Sequence, residues 1–224
     1  MEDLNILKNC ILFKDLDPEK VCPLLEGSIE EYAAGTVVIR EEQRMDQLEI
    51  LLSGAMQAVK LEMDGSKFMY QHLRPSFLVA GEVVCTKTRI CPYEVSATEN
   101  SRVWTCSCDM LHSPQLPTEL RLALMQNLLY FVADQNIKKY HKIDALSVKS
   151  ARARILKYLT AQAVRSGDNT FTIPFDRETM ANYLCLNRSV LSHTLKKMEQ
   201  EGIVAFHKNQ FTILDKKLSE QHTK

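Results

Sequence analysis

Residues 175–214 constrain this chain more than any other stretch, because FDRETMANYLCLNRSVLSHTLKKMEQEGIVAFHKNQFTIL spells two short helices, a tight turn and a hairpin. Asp176 can accept hydrogen bonds from the free N–H groups of a first helical turn, and Phe175 can pack on Met180 as a hydrophobic staple, so a helix is predicted from Arg177. Its inward face carries Met180, Ala181 and Leu184, with Ala181 short enough for a second helix to cross close by. Cys185 to Asn187 make the turn. Asn187 is the expected N-cap of a second helix running to about Glu201, and Gly202 suits the left-handed backbone that ends it. Leu191, Leu195 and Met198 recur at helical spacing and point inward. The opposite face shows Arg188, Ser189, Ser192, His193, Lys196 and Lys197, donors of the sizes that reach base edges and phosphates. Ile203–His207 and Gln210–Leu214 read as two strands around Lys208 and Asn209, a wing able to lie along a phosphate backbone.

Helix pairs joined by a turn occur in many proteins that never touch nucleic acid, so the distribution of charge matters. The chain of 224 residues has a formal net charge of +0, yet residues 1–144 carry 15 Lys and Arg against 21 Asp and Glu, and residues 145–224 carry 13 against 7. An acidic body and a basic C-terminal part are what phosphate binding asks for. Glycine-rich phosphate loops, HExxH and GxSxG are absent from the sequence, so no catalytic residue is assigned and an enzyme is not expected. The N-terminus opens acidic without an apolar stretch, and the most apolar region, residues 120–133, is broken by Arg121, Gln126 and Asn127; a cytoplasmic protein without a membrane partner is expected.

Seven cysteines stand at 10, 22, 85, 91, 106, 108 and 185 with no CxxC pair. They are expected to be reduced thiols, several of them core residues. Cys106, Cys108 and His112 lack a further ligand at metal-site spacing, so neither a metal nor a cofactor is expected.

The first hundred residues read as short strands: Thr36–Arg40, Leu48–Ser53, Met56–Met63, Phe68–Leu73, Glu94–Ala97 and Arg102–Cys106, with a hairpin turn at Asp64-Gly65. Val59, Leu61 and Met63 alternate with Lys60 and Glu62, and Phe68, Tyr70 and His72 with Met69 and Gln71, so one face of this hairpin is expected to be buried and the other wet. This pattern implies a closed or sandwiched β domain. Pro117 then precedes a long helix to about Leu146. Leu120, Leu124, Leu128 and Phe131 form one apolar line and Met125, Leu129, Val132 and Ile143 a second, which argues for a symmetric dimer through a coiled-coil-like seam.

These pieces, in this order, resemble the Crp/Fnr family of bacterial transcription regulators. LFKDLDPEKVCPLL is similar to the family's opening helical segment, YAAGTVVIREEQRMDQLEILLSGAMQAVKLEMDGSK to its β-roll strands, VAGEVV to the start of its effector cassette, and LCLNRSVLSHTLKKMEQEGIV to its turn and recognition helix. The resemblance implies an α+β fold: an N-terminal antiparallel β-roll of the cyclic-nucleotide-binding jelly-roll kind (residues 1–115), a dimerisation helix (116–146) and a C-terminal winged helix-turn-helix (147–224). It places Arg188, Ser189 and His193 at base-reading positions and Ser192, Lys196 and Lys208 at the DNA backbone. It also places Gly81, Glu82, Val83, Leu124 and Leu128 around an effector. His193 stands where an arginine is usual, and Cys185 and Ser76 where glycines are.

The cassette departs from the cyclic-nucleotide pattern. Gly81 and Glu82 match its first part, but the arginine that holds the cyclic phosphate and the two small residues after it fall near Cys91, Pro92 and Tyr93. A buried phosphate without a cation is strongly unfavourable, and only Lys87 or Arg89 is available as a substitute, so cyclic AMP is not expected. An iron–sulfur version needs three clustered N-terminal cysteines where this chain has Cys10 and Cys22; a haem version could draw on Cys85, Cys91 or His72, and nothing selects them. The expected function is therefore a homodimer on an inverted repeat of double-stranded DNA, controlled by an unidentified small molecule or redox signal, with RNA polymerase as a further partner. A sensor whose winged helix contacts protein, and a cyclic-nucleotide-responsive regulator, are the alternatives.

Overall fold

The structure is a computed structural model that describes residues 2–61 and 67–214. The chain divides into two compact units, residues 1–136 and 137–224.

The first unit opens with helix α1 (Glu2–Lys8), a single 3-10 turn at Ile11–Phe13 and helix α2 (Pro18–Leu24), whose N-cap Asp17 accepts a hydrogen bond from the Glu19 amide. Eight strands follow: β1 (Ser28–Tyr32), β2 (Val37–Ile39), β3 (Gln47–Ser53), β4 (Met56–Leu61), β5 (Lys67–Leu73), β6 (Leu78–Val79), and, after the one-turn helix α3 (Gly81–Val84), β7 (Glu94–Ala97) and β8 (Ser101–Ser107). They form two four-stranded antiparallel sheets, ordered β1-β8-β3-β6 and β2-β7-β4-β5, which enclose one core that includes Leu48, Ile50, Met56, Val95 and Val103. The six expected strands are present within one or two residues of their expected ends where described, while β1 and β6 were not anticipated. The Asp64-Gly65 turn, with Glu62 and Met63, lies outside the described residues.

A β-bulge interrupts the expected alternation of the β4–β5 hairpin. The register shifts between Ala58, opposite Gln71, and Val59, opposite Met69, so Ala58 and Val59 are both buried. On β5, Met69 and Leu73 are buried and Tyr70 exposed, whereas on β4 the buried set passes at the bulge from Met56 and Ala58 to Val59, and Leu61 is left exposed. The pairing skips Tyr70, the extra residue of the bulge, so consecutive residues of β4 are buried.

Helix α4 (Thr118–Leu146) begins directly after Pro117. Its inner line, Leu124, Leu128 and Phe131, is buried in the core of the first unit. Asn127, also buried, donates to the carbonyls of Leu12 and Lys14 at 2.9 Å each, and Gln135 accepts from Gln71 at 3.2 Å, so polar side chains fix the helix at two heights. The second expected line is open only in part: Leu129 and Ile143 are 66% and 67% exposed, while Met125 and Val132 are half-buried and Val132 packs against the core; Leu122, 61% exposed and seven residues before Leu129, joins the open residues.

The second unit contains the end of α4, helix α5 (Ala151–Ser166), strand β9 (Thr170–Thr172), helices α6 (Arg177–Tyr183) and α7 (Arg188–Gln200), and strands β10 (Val204–His207) and β11 (Gln210–Ile213). α5, capped by Ser150 and closed by Gly167 in the left-handed region, was not anticipated, nor was β9, which completes a sheet of order β10-β11-β9. Ile155 and Leu159 of α5, Met180 of α6 with Leu184 just past its end, and Leu191, Leu195 and Met198 of α7 meet in its core. Among the described residues, no helix is long and apolar enough to cross a membrane.

Candidate DNA interface and effector region

The turn between α6 and α7 is held from three sides. At its front, Asp176 accepts the Thr179 amide at 2.7 Å, which starts α6 as its side chain predicts. The Phe175 ring packs on Tyr183 at 5.0 Å and stacks on Tyr158 of α5 at 6.1 Å. At the turn, Cys185 adopts φ of +52°, so this non-glycine residue stands in the left-handed region as the family pattern implied. Arg154 of α5 reaches across to donate to the Leu184 and Cys185 carbonyls at 3.3 and 3.2 Å, satisfying acceptors that α6 leaves open at its C-terminus. Asn187 has the extended N-cap backbone, but its side chain makes no capping hydrogen bond, which corrects that detail of its expected role. α7 therefore owes its position to three fully buried side chains and to Arg154 more than to its own cap.

The outward face of α7 is open. Arg188, Ser189, Ser192, His193, Lys196 and Lys197 are all exposed, so the six donors expected from the helical spacing share one surface. Arg188 lies 3.7 Å from Glu178 of α6, an exposed pair that holds little energy and leaves the guanidinium available. The wing hairpin β10–β11 turns at Lys208, exposed and in the left-handed region at φ +52°. Arg177 lies over the rings of Phe206 and Phe211 at 4.9 Å each, which ties the first turn of α6 to the wing. The end of α4 joins the same unit: Lys142 sits 4.0 Å over the Tyr183 ring, its ammonium pushed down to about 8 by burial, and Asp144 pairs with Lys157 at 2.6 Å.

In the roll, the effector cassette is filled by its own residues. Tyr93 is buried and its hydroxyl donates to Glu82 at 3.0 Å, so the carboxylate that the resemblance places at an effector is occupied by a phenol of the same chain. Burial, then the charge of Glu82, pushes the Tyr93 phenol far above its ordinary value, and it stays a donor. Cys91, where a phosphate-binding arginine would fall, is fully buried and its thiol donates to the Tyr93 carbonyl at 3.2 Å. Gly81 has no room for a side chain: a Cβ would lie 2.8 Å from Leu78 and 2.9 Å from Phe131, so α3 packs directly on α4. Arg89 is engaged by Asp109 at 3.0 Å, and Lys87 is exposed. Ser76 has φ of +72°, the backbone of the glycine it replaces.

An open space exists elsewhere in the first unit. A cavity of about 620 Å³ lies between the segment after α3, the 3-10 turn at Cys108–His112 and α4, and Leu128 is the one expected effector residue that lines it. Gly81, Glu82, Val83 and Leu124 do not reach it. Burial raises the Cys10 and Cys106 thiols to about 12 and those of Cys91 and Cys108 to about 11, which keeps all four protonated and unreactive. From the sequence, Tyr93 is only a cassette position and Arg154 carries no signal, while an effector site between the roll and the long helix is expected around Gly81, Glu82, Val83, Leu124 and Leu128. Tyr93 and Arg154 act through contacts 11 and 31 residues away in the chain, which no local pattern announces.

A β-roll of the cyclic-nucleotide-binding kind followed by a long helix and a winged helix-turn-helix defines a class: DNA-binding transcription regulators with a sensory roll. Residues 29–112 match the family model of the cyclic nucleotide-binding domain, and residues 153–218 that of the Crp-like helix-turn-helix domain. The chain is 25% identical over 193 residues to the transcriptional activator protein FnrL of Cereibacter sphaeroides, covering 82% of this chain and 75% of FnrL. In fold it is similar to FixK2 from Bradyrhizobium japonicum (TM-score 0.64, 16% identity, 88% of this chain and 98% of that one) and to a CooA mutant from Carboxydothermus hydrogenoformans (0.69, 16%, 90% of each). The chain belongs to the Crp/Fnr family of transcription regulators.

Proposed function

We propose that this regulator works as a cytoplasmic homodimer that places one α7 in each of two successive major grooves of an inverted repeat, with half-sites about 34 Å apart. Residues 1–115 act as the sensory domain, 116–146 as the dimerisation helix and 147–224 as the DNA-binding domain. The observation that carries this reading is the single exposed face of α7, where Arg188, Ser189 and His193 stand beside Ser192 and Lys196 over a rigid core. Arg188 donates in bidentate fashion to a guanine, His193 and Ser189 read neighbouring base edges, and Ser192, Lys196 and Lys208 contact phosphates. The exposed line of Leu122, Leu129 and Ile143 on α4 supplies the seam between two copies. RNA polymerase is the partner through which bound regulator acts on transcription.

The signal is not cyclic AMP in this reading, because Tyr93 occupies Glu82 and a buried thiol, not a cation, stands at Cys91 in the place of a cyclic phosphate's partner. A signal shifts DNA affinity only to the extent that it binds one arrangement of the dimer more tightly than another. Arg188→Ala tests the DNA assignment. By fluorescence anisotropy it should lose about 1–3 kcal/mol of discrimination at one base pair per half-site and keep most of its salt-dependent binding to random DNA. Equal losses on specific and random DNA would sink the base-reading role.

A further inference from the structure

We infer that Lys142 is a positioning residue for DNA recognition: it clasps the last turns of α4 to the end of α6, so that the helix proposed to join two protomers sets where α7 stands. This rests on the regulator reading above and names the side chain that links dimer to reading head. The division of the chain into two units falls inside α4, between Asn136 and Ile137, and not at the connection 147–150 that follows the helix. Residues 137–146 of α4 therefore belong with the winged helix-turn-helix, and Ala145 is buried in its core.

Three cationic side chains make the attachment, all within the second unit. Lys142, 8% exposed, holds its ammonium 4.0 Å over the ring of Tyr183, and that ring packs in turn on Phe175 at 5.0 Å and Tyr158 at 5.6 Å. Lys157 of α5 donates to Asp144 twice, to its carboxylate at 2.6 Å and to its carbonyl at 3.3 Å. Arg154 of α5 donates to the Val148 carbonyl at 2.8 Å as well as to those of Leu184 and Cys185, so one guanidinium grips both the connection after α4 and the α6–α7 turn. Of the three, Lys142 runs from α4 itself to the last residue of α6. Arg188 opens α7 five residues after Tyr183, which leaves little chain in which a displacement of that ring could be lost.

A buried ammonium is a costly way to fill such a place, since methionine has a similar length and no charge to desolvate. Burial pushes the Lys142 ammonium down to about 8, so it keeps its charge at neutral pH. What the charge adds over an apolar chain is a directed contact with the ring face, stronger here than at a wet surface. Ile143, next in the chain, is 67% exposed on the open side of α4. Clasp and proposed seam thus lie on adjacent residues of one helix, and the separation of two α7 helices in a dimer follows from that helix.

The test reads that separation. The full-length parent first selects its inverted repeat from a random pool of DNA duplexes, and anisotropy titrations then compare this repeat with versions whose spacer is one base pair longer or shorter. The parent should prefer the selected spacing by at least roughly tenfold, because one base pair turns a half-site by about a tenth of a helical turn. Lys142→Met should reduce the preference to within about threefold while unfolding at no lower urea concentration than the parent, as expected when an apolar side chain replaces a buried cation. Tyr183→Leu should lose the preference in the same way, whereas Tyr183→Phe, which retains the ring, should keep it. A Lys142→Met protein that discriminates spacers like the parent overturns the clasp, as does one that is less stable and binds every spacing equally weakly, the mark of a packing role alone. A parent indifferent to spacing overturns it too. A parent that selects no inverted repeat at all removes the regulator reading itself, and is thereby told apart from a parent that selects one while its variants keep full discrimination.

Discussion

Cys185 stores strain in the turn where the chain passes from α6 to α7. A left-handed backbone costs a non-glycine residue roughly 1 kcal/mol, and Arg154 holds the two neighbouring carbonyls in place against it. Cys185→Gly is expected to gain up to about 1 kcal/mol in urea unfolding and to leave DNA affinity unchanged, whereas Cys185→Val, β-branched at positive φ, should lose at least that much. Glu49 on β3 is a second residue under tension: one of its carboxyl oxygens is buried without a hydrogen-bond partner, and burial, then the charge of Glu30, raises its pKa from 4.5 to about 7. The folded state therefore holds the proton more tightly than the unfolded chain. This contribution to stability is complete below pH 4.5 and is lost as pH rises through about 7. Glu49→Gln should be more stable than the parent by as much as about 3 kcal/mol near pH 8, with the gap closing in acid, as followed by denaturant titration at each pH. A gap independent of pH would refute the titration.

At the scale of elements, what could be read in advance followed the strength of the local period. α4 announced itself because Pro117 precedes it and two apolar lines run along it, and α6 and α7 because Asp176 and Gly202 bracket them. β1 was hidden because SIEEY is largely exposed and owes its existence to pairing with β8, some seventy residues on; β6 is two residues long. The bulge at Ala58 and Val59 has no composition of its own, and it broke the alternation of β4. The residues proposed to face DNA were legible because all but Lys208 lie on one helix. The plugging of the cassette was not, since Tyr93 meets Glu82 only after the segment leading into β7 folds against α3. The open line of α4 makes its own prediction: Ile143→Glu puts a charge where two copies are proposed to meet, on a residue already two-thirds exposed. Sedimentation velocity should then show dimer affinity lowered by at least roughly thirtyfold with helicity unchanged, an effect on the order of a single interface hot spot.

For the whole molecule, a formal charge of +0 conceals an acidic N-terminal portion and a basic C-terminal one. Binding to DNA should therefore fall steeply with salt in spite of that neutrality. Removing one phosphate-neutralising side chain from each copy of a dimer changes the slope of log affinity against log salt by about 1.8, and Lys196→Gln should do so while sequence preference is kept; a change of about 0.9 would indicate a single copy on the DNA.

The Tyr93–Glu82 hydrogen bond bears on the descent of such proteins. To bind a cyclic phosphate this roll needs an arginine near Cys91 and an empty space at Tyr93, both together. An arginine introduced first would be a buried cation without its anion, and removal of the phenol first would strip Glu82 of its donor and open a void. Either order passes through a less stable protein before any affinity appears, so a lineage that has closed its cassette this way is kept from reopening it one substitution at a time.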